Sequence, residues 1–175
     1  MTPHQEPLAA LDSKHSLASF VPPAPDSIIC APTAIFDIPA VNTALEAAFA
    51  GASSEADLRA ATVRVLSEAN DQGRAAIESA VMQAPRNARP ATHAYAWLTD
   101  CLVTTVLYVA QHHLHPDPNE SDHIAVLAVG GYGRAEMSPY SDVDLLFLAP
   151  HKITGRTERV IESMLYLFWD MHLKV

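Results

Sequence analysis

Cysteine is nearly absent: Cys30 and Cys101 are the only two in 175 residues. That is too few for a disulfide scaffold, and the pair lacks metal-ligand spacing, so a reducing cytoplasm is the expected setting. Long apolar runs are missing too, and none could span a bilayer. The amino terminus, Met1-Thr-Pro-His-Gln-Glu-Pro7, has neither the basic start nor the apolar core of a signal peptide. Basic residues are scarce: 11 Lys and Arg against 20 Asp and Glu leave a net charge of −9. A general nucleic-acid surface needs clustered Lys and Arg, so neither nucleic acid nor a membrane is an expected partner. What remains, 49% hydrophobic and 18% charged residues, describes a globular chain long enough for one domain with a real core.

Proline is unevenly spread. Residues 1–39 hold seven of the 13, centred on Val21-Pro-Pro-Ala-Pro25, which predicts an extended, mobile tail. A proline-motif ligand for a partner is the alternative reading of this stretch. Residues 40–115 are alanine-rich and read as a helical segment. Ser54 with Asp57 three later resembles a capping box, opening a helix through Val63, Leu66 and Ile77 toward Met82, with Gly73 as a candidate interruption. Pro85 and Pro90 mark a break, and a second helix is predicted from about Thr92 to His113. Trp97, Leu98, Leu102, Val106 and Val109 give it an apolar face to pack on a later sheet. His112, His113, His115 and His123 lack zinc-site spacing, so a solvated helix end and loop is expected there. Thr157 to about Met171 reads as a further helix whose Val160, Met164, Leu167 and Phe168 would cover the sheet. Trp169 is expected to pack rather than to stack on a base.

Glycine is scarce as well, six in all, yet Gly130, Gly131 and Gly133 fall together. They follow at once on a predicted strand, Ile124-Ala-Val-Leu-Ala-Val129. Glycine tolerates positive φ and has no Cβ to keep phosphate oxygens from the backbone. Arg134 adds a permanently charged fork for a phosphate or a carboxylate. A second short apolar strand, Ser141-Asp-Val-Asp-Leu-Leu-Phe-Leu148, ends at Ala149-Pro150. Side chains alternate along it, so Asp142 and Asp144 share one face, and Val143, Leu145 and Phe147 the other. Two like charges that close are costly without a cation. Mg²⁺ suits them, because it takes one or two carboxylates plus substrate phosphates and water. Asp-x-Asp alone also fits a strand-entry turn with two solvated aspartates; the glycine pair upstream favours a site. A dinucleotide fingerprint fails because its third glycine would fall at Glu136, and a P-loop fails because no Gly-Lys-Ser/Thr follows. Together the two elements read as a site for moving a nucleotide from its triphosphate onto an acceptor.

Gly-Gly, ten intervening residues, then Asp-x-Asp resembles the polymerase-β-type nucleotidyltransferase superfamily. The longer string Gly130-Gly-Tyr-Gly-Arg-Ala-Glu-Met-Ser-Pro-Tyr-Ser-Asp-Val-Asp-Leu-Leu146 is similar to bacterial PII uridylyltransferase/uridylyl-removing enzymes, over roughly residues 124–148. The resemblance implies an α/β (α+β) fold: a nucleotidyltransferase core with a small mixed sheet over 116–175, preceded by the helical segment 40–115 and the tail 1–39. It implies catalytic, metal-binding roles for Asp142 and Asp144, with Gly130, Gly131, Gly133, Arg134 and Ser141 binding nucleotide. The implied cofactor is Mg²⁺, the donor UTP, and the acceptor a tyrosine of the PII nitrogen-regulatory protein. Enzymes that adenylylate glutamine synthetase carry a similar motif, so adenylyl transfer stands as an alternative. A non-catalytic remnant that keeps the Mg-nucleotide site is another.

Two departures accompany the resemblance. The superfamily takes a third carboxylate from a later strand, whereas Glu158, Glu162 and Asp170 lie on or near the end of a predicted helix, and Leu173-Lys-Val175 reads as a strand cut short. No His-Asp dyad occurs that could serve uridylyl removal. The expectation is an amino-terminal piece that binds nucleotide weakly and transfers little by itself.

Overall fold

The computed structural model describes residues 16–117, 124–149 and 153–175. Two short helical turns, α1 (Leu17–Phe20) and α2 (Pro32–Ile35), lead into α3 (Ile38–Ala50), α4 (Glu55–Gln83) and α5 (Ala88–Val109). A π-helical turn (Ala110–Leu114) extends α5. Then come β1 (Ala125–Ala128), the one-turn α6 (Gly130–Gly133), β2 (Leu145–Leu148) and α7 (Gly155–Asp170). Most of the described chain is thus helical, with one small sheet. Among the described residues no helix is long and apolar enough to cross a membrane.

α4 starts at its expected cap. Ser54 Oγ accepts a hydrogen bond from the Asp57 amide at 3.1 Å, and Asp57 accepts in return from the amide and hydroxyl of Ser53. These bonds, the Ser53 hydroxyl first among them, hold the Asp57 carboxyl below its usual range. Gly73 does not interrupt the helix. A Cβ there would overlap the Ile35 carbonyl oxygen and press on Leu98, so its missing side chain lets α2 and α5 close onto α4.

α5 begins at Ala88 rather than near Thr92, because Pro90 sits in its first turn, where the absent N–H has no intrahelical partner to lose. Leu98, Leu102, Val106 and Val109 on this helix are at most 2% exposed. Each such burial contributes about 1.5–3 kcal/mol. α5 packs chiefly on α4, α1 and α7, and the sheet expected for it adds only the inward Val126, Leu145 and Phe147 to the core. α7 likewise turns Val160, Met164, Leu167 and Phe168 toward the helices. The reason is size: two strands of four residues each cannot cover the apolar faces of such long helices.

β1 and β2 run antiparallel, with Ala125 opposite Leu148 and Ala128 opposite Leu145. The mixed sheet expected from the resemblance is not found among the described residues, which contain this antiparallel pair. Residues 173–175 form no strand, although the Lys174 carbonyl accepts from the Val143 amide at 2.7 Å, beside the start of β2.

Residues 1–15 of the expected tail lie outside the described residues. From Ser16 onward the chain is packed on the helices rather than extended. Leu17, Ile35 and Phe36 are at most 3% exposed, and Trp97 Nε1 donates to the Pro22 carbonyl at 3.1 Å. Proline removes a donor but keeps its carbonyl, and the apolar residues between the prolines act as anchors.

Candidate functional site

β2 and the residues leading into it carry the two aspartates. Val143 turns inward and is buried, while Asp142 and Asp144 on either side of it are exposed on the opposite face. The alternation continues with Leu145 and Phe147 inward, Leu146 and Leu148 outward. The Val129 amide donates to the Asp144 carbonyl at 3.0 Å, which carries the strand ladder up to the glycine turn and sets its register against the carboxylates.

The chain leaves β1 extended at Val129 and then reverses. Gly130 takes φ 60°, and a Cβ placed on it would stand 2.5 Å from Asp144 Oδ2. The carboxylate therefore rests against bare glycine backbone, a position that any other residue would deny it. α6 follows as a single turn. The Gly133 amide donates to the Val129 carbonyl at 2.8 Å, and the Arg134 and Glu136 amides donate to that of Gly131. No side chain caps the leading amides of this turn. Ala135 closes the loop at φ 56°, a conformation that costs a non-glycine residue about 1–3 kcal/mol.

Arg134 meets neither aspartate. Its Nε pairs with Glu136 Oε2 at 2.9 Å, and its Nη1 donates to the Gly130 carbonyl at 2.8 Å. The ion pair is exposed and adds little stability, whereas the second bond ties the guanidinium to the turn. Ser141 Oγ accepts from the Ser138 amide at 2.9 Å, closing the bend that leads to Asp142.

Two contacts from the helical segment escaped sequence reasoning. The Tyr132 hydroxyl donates to Asp100 Oδ1 on α5 at 2.7 Å, and Arg74 on α4 donates to the Pro139 carbonyl. Asp100 did carry a signal, since besides Arg89 it is the only Asp, Glu, Lys or Arg in α5. Burial pushes its carboxyl up, and the Tyr132 hydrogen bond opposes that shift. Burial also pushes the Tyr132 phenol far up, so it stays protonated and donates. Arg74 carried no signal, reading as one more charged residue on a long helix.

Asp142 and Asp144 suit a hard divalent cation, which needs only one or two carboxylates when phosphate and water complete its shell. The place of Asp144 against Gly130 adds to the fit, because it sets a carboxylate beside backbone that phosphate can approach closely. Among the described residues no group of three or more His, Cys, Asp or Glu could hold a metal. Glu158, Glu162 and Asp170 all belong to α7. His112 and His113 are half-buried among the rings of Phe20, Phe49 and Tyr108 instead of solvated, and His115 bonds Ser163 Oγ at 2.8 Å. His123 lies outside the described residues. Trp169 is half-exposed with its ring against Tyr166, so it is not part of the core.

The chain is 53% identical over 143 residues to the bifunctional uridylyltransferase/uridylyl-removing enzyme of Ruegeria pomeroyi, covering 81% of this chain and 16% of that one. It is 55% identical over 128 residues to the protein of the same name from Cereibacter sphaeroides, covering 72% and 14%. The one from Erythrobacter litoralis is 44% identical over 119 residues, covering 67% and 13%. The matched stretch is thus most of this chain and about one-sixth or less of its relatives. No family model matches the chain, and no solved structure matches it.

Proposed function

The chain belongs by sequence to the bifunctional uridylyltransferase/uridylyl-removing enzymes, and on that premise we propose that residues 124–148 form the Mg-nucleotide part of a nucleotidyltransferase site. UTP is the proposed donor, a tyrosine of the PII protein the proposed acceptor, and the cytoplasm the proposed location. Transfer joins the tyrosine oxygen to the α-phosphorus and releases pyrophosphate. The observation that carries this reading is Asp144 lodged against Gly130, a carboxylate touching a turn whose glycine backbone is bare enough for phosphate. Asp142 and Asp144 would hold Mg²⁺ on the open face of the strand, with Gly130 and Gly131 along the triphosphate. When bound, Mg²⁺ offsets the negative charge of the phosphates.

The other residues shape the turn. Gly133 closes it through Val129, Arg134 steadies it through the Gly130 carbonyl, and Ser141 sets the bend before Asp142. A net charge of −9 suits a protein acceptor better than a nucleic acid. The relatives' names favour uridylyl over adenylyl transfer. The test uses the full protein from its source with Mg²⁺, offering labelled UTP with PII and labelled ATP with glutamine synthetase. Label should reach PII alone and vanish in Asp142→Asn. Label on glutamine synthetase, or transfer indifferent to Asp142→Asn, would overturn the reading.

A further inference from the structure

We propose that Asp100 and Tyr132 are positioning residues, a tether by which α5 holds the glycine turn in register with Asp144; the proposal rests on the nucleotide-site reading above. α6 reads Gly-Gly-Tyr-Gly, so Tyr132 is its only side chain. Glycine backbone has the widest conformational freedom of any residue, and a turn made almost wholly of it has little packing of its own to hold it. Tyr132 supplies what the glycines lack. Its ring is buried, and its hydroxyl reaches Asp100 Oδ1 at 2.7 Å.

The anchor point is well chosen. Asp100 lies between Thr99 and Cys101 on the most buried helix of the chain, whose neighbours Leu98 and Leu102 are fully enclosed. A hydrogen bond to a partly buried carboxylate is stronger than one between neutral groups. At the far end of the same loop, Arg74 holds the Pro139 carbonyl while bonding Asn70 Oδ1 at 3.3 Å and lying 5.9 Å from the Tyr95 ring centre. The segment from the glycine pair to the aspartates is therefore pinned at one end by α5 and at the other by α4. The helical segment is thus part of the site's geometry.

The test compares three variants with the full wild-type protein. Tyr132→Phe keeps the ring and deletes the donor. Asp100→Leu deletes the acceptor, and Asp100→Asn restores an oxygen that can accept. Amide exchange at Gly133, Arg134, Ala135 and Glu136, all hydrogen-bonded in the turn, reports the tether without any ligand. The dissociation constant of Mg·UTP reports its consequence, and the thermal midpoint checks that the fold persists. Tyr132→Phe and Asp100→Leu should each speed exchange in the turn and weaken Mg·UTP by about tenfold, while Asp100→Asn stays near wild type. Unchanged exchange in Tyr132→Phe would overturn the tether, as would faster exchange with unaltered Mg·UTP affinity. A wild-type protein that ignores Mg·UTP would instead refute the site reading, so the two failures are distinguishable.

Discussion

Leu102 on α5 is 1% exposed, whereas Leu146 on β2 is 46% exposed, although each sits in an apolar run. α5 is enclosed by α1, α4 and α7. The sheet is covered on one face only, where Val126, Leu145 and Phe147 reach the core, and its other face carries Leu127, Leu146 and Leu148 in the open. That open face is also the one that presents Asp142 and Asp144. A two-stranded ribbon is marginal by itself in water, so its shape must be borrowed from something firmer. Here the helices lend it, through Tyr132 to Asp100 and Arg74 to Pro139. Stability and the proposed chemistry are thus divided between two regions that share a loop.

Truncation separates the regions most sharply. Leu102→Ala should destabilise the protein by about 2–5 kcal/mol, because it opens a cavity in the enclosed core. Denaturant unfolding would measure it, and a loss below about 1 kcal/mol would mean that the helical core is looser than its burial indicates. Gly130→Ala should cost less, about 1–2 kcal/mol for the left-handed backbone, yet it should abolish Mg·UTP binding by displacing Asp144. Retained binding would show that the glycine position is incidental. Leu146→Ala should stay within about 1 kcal/mol, since much of that side chain is already in water.

The smallest effect is a pH slope from the helical end. Burial lowers the His113 imidazole below its ordinary 6.5, with Glu46 opposing. Burial lowers His115 too, joined by Arg159, Arg156 and Arg59 and opposed by Glu55. The unfolded chain therefore takes up protons that the folded chain refuses, and stability should fall as pH drops below about 6.5. His113→Phe, which keeps a ring beside Phe49 and Tyr108, should flatten that slope. An unchanged slope would place the titration elsewhere.

Much of the local geometry of the candidate site was legible because its signals are local. The alternation that separates Val143 from Asp142 and Asp144 is a period-two pattern, and the Ser54 cap is a three-residue one. The extent of α7 was equally plain from its 3.6-residue stripe, although not what that stripe would cover. What stayed hidden depends on partners far away in the chain. Prolines made residues 16–36 read as extended, but Leu17 and Ile35 find their burial on helices formed much later. Gly73 read as a weakness in α4, while its purpose is the approach of Ile35 and Leu98. Tyr132 and Asp100 are 32 positions apart, and only the fold brings a lone tyrosine among glycines to a lone carboxylate on an apolar helix.

The most direct test of the account is calorimetric titration of UTP into wild-type protein and Asp144→Asn, each with Mg²⁺ present and with Mg²⁺ chelated. Asp144 is exposed and contributes little to the core, so the variant should keep its thermal midpoint. Saturable, Mg²⁺-dependent binding is expected in the wild type, and its loss in Asp144→Asn. Equal affinity in the two proteins, or binding indifferent to Mg²⁺, would contradict the site reading.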